Sequence, residues 1–297
     1  MKKNLSWKAS LIDAYLSVKK PKSIFSETSD PNFDRIVKGF EKETAKPLKT
    51  PHGFQETSFQ SRQVFLFNSE TKQDILFFLA GDTYLQNPAK SHFALIQNIA
   101  EENGLSAVVP IFGRVPECSY ASEFQIVISL YHKILDENPT RRIFLMGDGA
   151  GGAFAAGLHY CMEDLNLRKP DETILLSPWL DATLTNPKIE TMEDRDAILS
   201  PWGLRKIALL WAGNESALKN RHISPIYGDT QELKNISVIC GSEEILFPDI
   251  TKFDSFMEQK QVRHQLFVFE GMSHGFYLYG TKEAEKVKAQ IHQILRP

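Results

Sequence analysis

The stretch IFLMGDGAGGAFAA, residues 143–156, contains an apolar run, a glycine-rich turn and a segment of small residues, in that order. A short continuous apolar run bounded by a turn is typical of a strand buried on both faces of a sheet. The alanines after the turn favour a helix. The stretch therefore predicts a strand that turns sharply into a helix, which is the repeating unit of an α/β fold.

The turn itself admits three interpretations. Gly147, Gly149 and Gly152 satisfy the dinucleotide-binding pattern G-x-G-x-x-G, but the expected acidic residue at the end of the next strand is missing, since Asp181 comes about ten residues late. The turn also fits the elbow G-x-S-x-G, with Gly149 in the place of the nucleophilic serine. In the third interpretation, small residues only allow the helix to pack closely on the sheet.

Working outward from this turn, strands and helices alternate over most of the chain. The pattern predicts strands at 63–68, 74–80, 106–112, 142–146, 172–177, 237–240 and 265–269, and helices at 91–103, 121–137, 150–165, 248–260 and 282–295. Leu11, Ala14, Tyr15 and Val18 recur at helical spacing near the N-terminus. We expect a three-layer α/β domain over 51–297, with N-terminal cap helices in 1–50 and a helical cap insertion at about 181–225.

Composition narrows the function classes. The net charge of −3 argues against a dedicated nucleic-acid binder, and no apolar run approaches the length of a membrane span. The N-terminal segment lacks the uninterrupted apolar stretch of a signal peptide. Cys118, Cys161 and Cys240 have no metal-type spacing and read as buried thiols in a reducing compartment, so we expect a cytoplasmic protein without metal or cofactor.

Four ordered motifs give the chain a family resemblance. They are the elbow at 147–152, LSPWLD at 176–181, GSEEIL at 241–246 and GMSHGF at 271–276. With these motifs the chain resembles the hormone-sensitive-lipase-like branch of the α/β-hydrolases, particularly its bacterial acetyl-esterase members. The resemblance implies an α/β-hydrolase fold, a mostly parallel sheet with a helical cap, and a small ester or acyl ligand.

The resemblance also implies a set of site residues. The nucleophile, acid and base would be Gly149, Glu244 and His274, and the oxyanion hole would be formed by Asp82, Thr83 and Ala150. Glycine has no side-chain oxygen, so the first position cannot attack an ester. Ser177, Ser273 and Asp148 are candidates for a relocated nucleophile, and Glu243 is expected to be an exposed acid.

Further departures from the family surround the site. The family's His-Gly-Gly loop corresponds here to Ala80-Gly81-Asp82-Thr83-Tyr84, and the stretch at 111–117 departs from the usual Tyr-Arg-Leu-Ala-Pro-Glu. Several independent changes favour a natural pseudo-hydrolase over a single engineered substitution. The alternatives are an esterase with rerouted catalysis, a module that binds a small acyl or apolar ligand under Trp202 and Trp211, and a protein-interaction module.

Overall fold

The computed structural model describes residues 5–19, 29–71, 73–81 and 83–296. Over these residues the chain forms one eight-stranded sheet in the order β1-β2-β4-β3-β5-β6-β7-β8. The strands are β1 Gln55–Phe59, β2 Arg62–Phe67, β3 Ile75–Leu79, β4 Ser106–Pro110, β5 Ile143–Asp148, β6 Glu172–Leu176, β7 Ile236–Gly241 and β8 His264–Phe269. The helices are α1 Trp7–Lys19, α2 Asp30–Thr44, α3 Lys90–Asn103, α4 Tyr120–Glu137, α5 Ala150–Asp164, α6 Lys188–Met192, α7 Pro201–Ala212, α8 Phe247–Gln259 and α9 Lys282–Leu295. The α/β-hydrolase architecture expected from the sequence is confirmed.

The sheet is parallel from β3 and β4 through to β8, and its β1 and β2 end is antiparallel. The central strands are continuously apolar because both faces are covered: all five residues of β3 are buried. Alternate residues of β3 enter two different clusters, with Phe77 and Leu79 in one and Leu76 and Phe78 in the other. The two clusters are the cores on the two faces of the sheet.

The strand β1 was not predicted. Its sequence QETSF is mostly exposed, so it lacks the apolar signal that marked the other strands. It is held instead by antiparallel pairing with β2 through a tight turn at Gln60 and Ser61, both of which have positive φ.

The N-terminal helices contact different parts of the molecule. Ser6, which precedes α1, donates two hydrogen bonds to the carboxylate of Glu283 on α9, at 2.7 Å from its amide and 2.6 Å from its hydroxyl. Phe33 of α2 makes an edge-to-face contact with Trp202 of α7 at 5.5 Å between ring centroids. In α1 the predicted helix forms, but Leu11 and Tyr15 are exposed and the buried side chains include Ala9 and Leu16.

Two expectations about burial are wrong in part. Among the three cysteines only Cys240 is buried, and Cys118 and Cys161 are half-buried. Glu243 is buried and not exposed, because it forms an ion pair with Arg195 of the cap segment. Within the described ranges, no helix combines the length and the apolar character needed to cross a bilayer.

Candidate functional site

The site lies where the parallel strands end. The strands β5, β6, β7 and β8 are consecutive neighbours in the sheet, and their carboxyl ends lead into the segments that begin at Gly149, Ser177, Ser242 and Glu270. Ligand sites of open parallel sheets form outside the carboxyl ends of the strands. The order of strands therefore brings the predicted site residues to one edge.

Gly149 forms the sharp turn between β5 and α5. Its backbone has φ 53° and ψ −118°, a conformation that residues with a side chain rarely adopt. Its amide donates to Leu176 at 2.9 Å, and its carbonyl accepts from the amide of Trp179 at 3.0 Å. The turn is thus fixed against the end of β6, and at its apex the chain carries no side chain.

The neighbouring glycines have a packing role. A Cβ atom at Gly147 would lie 2.2 Å from the carbonyl oxygen of Gly151, and one at Gly151 would lie 2.0 Å from that of Leu79. These positions must be glycine for α5 to approach the sheet. The packing interpretation of the glycine-rich turn therefore holds for Gly147 and Gly151 whatever chemistry the site performs.

Glu244 and His274 form a buried pair. Nδ1 of His274 lies 2.8 Å from Oε2 of Glu244, and the two side chains are 2% and 0% exposed. The other carboxylate oxygen, Oε1, accepts from the amide of Gly241 at 2.6 Å and from the hydroxyl of Ser177 at 2.9 Å. With three donors on one carboxylate, the acid is held rigidly, and it fixes the orientation of the imidazole.

Ser177 contributes to this pair as a hydrogen-bond donor. It directly follows β6, is fully buried, and has a positive φ of 43°. Its hydroxyl is directed to Glu244, which is the contact the sequence did not predict for this candidate nucleophile. The left-handed backbone at a non-glycine residue is a strained feature of the kind that concentrates at functional sites.

The cap segment is fastened to the loop that carries the acid. Both oxygens of the buried Asp196 accept backbone hydrogen bonds, from Ile198 and Leu199 on one side and from Ile245 on the other. Burial raises the pKa of Asp196, although the nearby His274 and the backbone donors oppose that shift. Asp196 therefore couples the cap to the residue that follows Glu244.

The loop after β3, residues 80–84, is held by three contacts. Asp148 accepts from the amide of Gly81 at 3.1 Å, and the carbonyl of Gly81 accepts from the amide of Gly151 at 2.8 Å. The guanidinium of Arg114 donates to the carbonyl of Ala80 at 3.0 Å. Asp82, which the resemblance places in the oxyanion hole, lies outside the described residues.

Arg114 is the main surprise of the loop at 111–117. It is only 4% exposed, it lies over the ring of Phe112 at 4.0 Å, and its Nε and Nη1 atoms have no hydrogen-bond partner among the described residues. Burial lowers the pKa of Arg114 to about 10, while the carboxylates of Asp148 and Glu123 oppose the shift. A buried cation therefore lies beneath the loop, where the family pattern has an apolar residue.

The other two predicted oxyanion residues are buried. Thr83 is 2% exposed and its hydroxyl has no partner among the described residues, while Ala150 is the first residue of α5 and is fully buried. The backbone amide of a residue that follows the elbow lies at a helix N-terminus, which suits it to stabilise negative charge.

Aromatic side chains fill the space between this loop and the cap. The ring of Tyr84 stacks on Trp211 of α7 at 4.1 Å with an interplanar angle of 12°. Phe112, Phe154 and Trp179 lie around the stack, and Trp211 is fully buried. The hydroxyl of Tyr84 and Nε1 of Trp211 have no hydrogen-bond partner among the described residues. The cap tryptophan is therefore core, and it is not the wall of an open cavity.

Sequence reasoning found Gly149, Glu244 and His274 but missed the structural supports of the site, Asp196 and Tyr84. Asp196 could have been noticed as an isolated acid within an aromatic and apolar insertion, whereas no local pattern marks Tyr84. In the part of the chain that the structure describes, no group of three or more His, Cys, Asp or Glu side chains could hold a metal ion.

Residues 76–278 match the alpha/beta hydrolase fold family. The chain belongs to this family. The matched segment begins in β3 and ends after the histidine loop, so it contains every residue of the candidate site.

Individual relatives agree with the family. The chain is 24% identical over 223 residues to an esterase of Acinetobacter venetianus, with 74% of each chain covered, and 27% identical over 178 residues to an acetyl-hydrolase of Streptomyces hygroscopicus, with 59% of this chain and 58% of the relative covered. A solved Staphylococcus aureus protein assigned as an esterase superimposes with a TM-score of 0.86 at 26% identity, covering 94% of this chain and 97% of that one. A solved esterase of the bacterial hormone-sensitive lipase family gives 0.82 at 20% identity, covering 99% and 98%, which shows the shared fold.

Proposed function

We propose that this α/β-hydrolase is a pseudo-hydrolase: an esterase-type scaffold that keeps its acid and histidine but has no nucleophile. Gly149 carries the proposal, because it stands at the strand-to-helix turn with the strained backbone of an elbow and offers no oxygen for attack. Glu244 and His274, which would orient and accept the proton of such an oxygen, are paired at 2.8 Å.

The chemical consequence is large. In a serine hydrolase, loss of the serine costs about a million-fold in turnover, and binding together with the oxyanion hole leaves a residual of about 10³–10⁴ over water. The loop at 80–84 departs from the glycine-rich form that provides two backbone donors. A carboxylate at position 82 beside the developing oxyanion would oppose its stabilisation.

The test is hydrolysis of p-nitrophenyl acetate by four proteins: the unmodified chain, His274→Ala, Gly149→Ser, and the double variant Gly149→Ser/His274→Ala. We expect the first two to match the uncatalysed rate, Gly149→Ser to gain turnover, and the double variant to lose that gain. A fifth variant, Gly149→Ser/Asp82→Gly, shows whether the carboxylate limits the restored site. Turnover in the unmodified chain that His274→Ala abolishes would contradict the proposal and reveal a relocated nucleophile.

A second candidate function is binding of a small acyl ligand. Buried polar atoms without a partner among the described residues favour it: the hydroxyls of Thr83 and Tyr84 and Nε1 of Trp211. Buried polar groups ordinarily have hydrogen-bond partners, so these donors are suited to a carboxylate or carbonyl oxygen. The aromatic filling of the site restricts such a ligand to a short chain.

Thermal unfolding in the presence of acetate, butyrate and octanoate tests this second function. Stabilisation by acetate or butyrate that Tyr84→Phe weakens would support it, since that substitution removes only the hydroxyl. An unfolding temperature that no carboxylate raises, or that chloride raises equally, would count against it.

A further inference from the structure

The helix α1 is firmly attached to the body of the protein. Ser6 caps its first turn by accepting from the amide of Ala9 at 3.3 Å, and it also donates to Glu283 of α9. Ala9 and Leu16 are buried on the inner side. The outer side of α1 is therefore a fixed surface of the molecule.

That outer side carries a stripe of large apolar residues. Trp7, Leu11 and Tyr15 follow one another at intervals of four, which places them on one face of a helix, and their exposed fractions are 66%, 59% and 60%. Among the described residues only Leu165 and Tyr227 are other large apolar side chains classed as exposed. The apolar stripe, Trp7, Leu11 and Tyr15, is thus a concentrated exception on the surface.

The charge of the same segment is also exceptional. Residues 1–26 contain six lysines, at positions 2, 3, 8, 19, 20 and 22, and a single acid, Asp13, which gives a net charge of +5. Because the whole chain carries −3, the remaining residues carry −8. A charge asymmetry of this kind indicates an anionic partner for the segment and would keep the acidic body oriented away from that partner.

Apolar aromatic residues on one helix face, together with a lysine excess in the same segment, match an interfacial helix. Such a helix lies in the headgroup plane of a bilayer, with Trp and Leu entering the acyl boundary and lysines attracted to anionic headgroups. We propose that the apolar stripe of α1 and its flanking lysines dock this protein on an anionic lipid bilayer. The argument does not depend on whether the site hydrolyses esters.

The docked orientation has a consequence for the candidate site. Leu5, Ala9 and Ile12 line a small cavity against Gly271, Met272 and Ser273, so α1 covers the loop that carries His274. Docking through the opposite face of α1 would bring this side of the molecule to the bilayer. The ligand of the site would then be drawn from acyl compounds partitioned into the membrane.

The first experiment is co-sedimentation of the full chain with vesicles. We expect binding to phosphatidylcholine vesicles that contain phosphatidylglycerol, and weaker binding to pure phosphatidylcholine. High salt should weaken the former, since the Debye length falls to about 3 Å at 1 M. Replacing Lys2, Lys3 and Lys8 with Gln should weaken binding roughly fivefold per lysine.

The decisive variant is Trp7→Ser/Leu11→Ser/Tyr15→Ser, with Leu165→Ser as the matched control for loss of an exposed apolar side chain. We expect the triple variant to lose at least about tenfold in vesicle binding. Its unfolding temperature should stay near that of the unmodified chain, because the side chains are exposed. The control should bind as the unmodified chain does.

Three results would overturn the proposal: no binding to anionic vesicles, equal binding by the triple variant, or equal binding to both lipid compositions. A dimer in light scattering that the triple variant converts to a monomer, without any vesicle binding, would assign the stripe to a second copy of the chain. A blue shift of Trp7 fluorescence on adding anionic vesicles, absent in Trp7→Phe, would support insertion of the stripe.

Discussion

The two halves of the candidate site have diverged to different degrees. At the acid–histidine end, Glu244 receives hydrogen bonds from Ser177, Gly241 and His274, and both members of the pair are buried. At the elbow end, Gly149 has no side chain and the adjacent loop at 80–84 lacks the family's glycines. The comparison teaches that a buried ionisable pair can persist for structural reasons after its chemical partner has gone.

The physical reason lies in the cost of change at each end. A carboxylate with three donors cannot lose its charge or one of its partners cheaply in a buried place. A glycine at a turn with positive φ relieves backbone strain instead. The elbow could therefore change freely, while the acid–histidine end is held by folding stability.

The largest expected effect tests that retention. Glu244→Ala should lower the free energy of unfolding by about 3–5 kcal/mol, because it leaves the hydroxyl of Ser177, the amide of Gly241 and the imidazole without their buried acceptor. Urea unfolding measures the change, with the exposed Glu117→Ala as control. A loss of less than about 1 kcal/mol would break the comparison, since the pair would then have no structural role.

The helix that begins at the elbow should carry a pH dependence of its own. His159 on α5 is fully buried with Nε2 2.9 Å from the hydroxyl of Thr173, and burial lowers its pKa to about 3. The unfolded chain, with an ordinary histidine pKa of about 6.5, binds more protons than the folded chain between these values, so stability falls as the pH drops below 6.5.

The size of this effect follows from the interval. From pH 6.5 to pH 5, His159 should cost about 2 kcal/mol of stability, at about 1.36 kcal/mol per pH unit. The difference between unfolding free energies at pH 7 and pH 5 should shrink by that amount in His159→Gln and stay unchanged in the exposed His132→Gln. Equal pH dependence in all three proteins would refute the assignment.

The strain at the elbow gives an intermediate effect. Gly149→Ala should lower the free energy of unfolding by about 1–2 kcal/mol, because alanine pays for the positive φ that glycine adopts freely. Gly39 on α2 has open space around a Cβ atom, so Gly39→Ala should be neutral or stabilising and serves as the control. A Gly149→Ala variant as stable as the unmodified chain would mean that the turn relaxes.

The smallest effect concerns the hydroxyl of Ser177. Ser177→Ala should cost about 1 kcal/mol, the net value of one buried hydrogen bond to the Glu244 carboxylate, which keeps two other donors. In a Glu244→Gln background the same substitution should cost less, which a double-mutant cycle measures. Additive costs would show that the hydroxyl does not act through Glu244.

The sequence predicted the parallel strands well because both faces of each are buried, and this leaves an uninterrupted apolar run in the chain. It missed β1 because an exposed edge strand of QETSF has no such run and exists through its pairing with β2. Similarly, Leu11 and Tyr15 announced a helix correctly, but their exposure depends on which side of α1 meets α9. Helical spacing cannot state which face is covered.

By itself the sequence determined the fold and the missing chemistry, since the alternation of apolar runs sets the α/β order and a glycine has no oxygen to offer in any conformation. Only the tertiary structure decided what holds the rest in place. Ser177, Asp196 and Tyr84 come from strand ends, the cap and the loop after β3, and they meet their partners because the sheet order and the cap bring distant segments together. Hydrogen bonds and ring contacts between such segments depend on three-dimensional distance, which no local pattern of residues records.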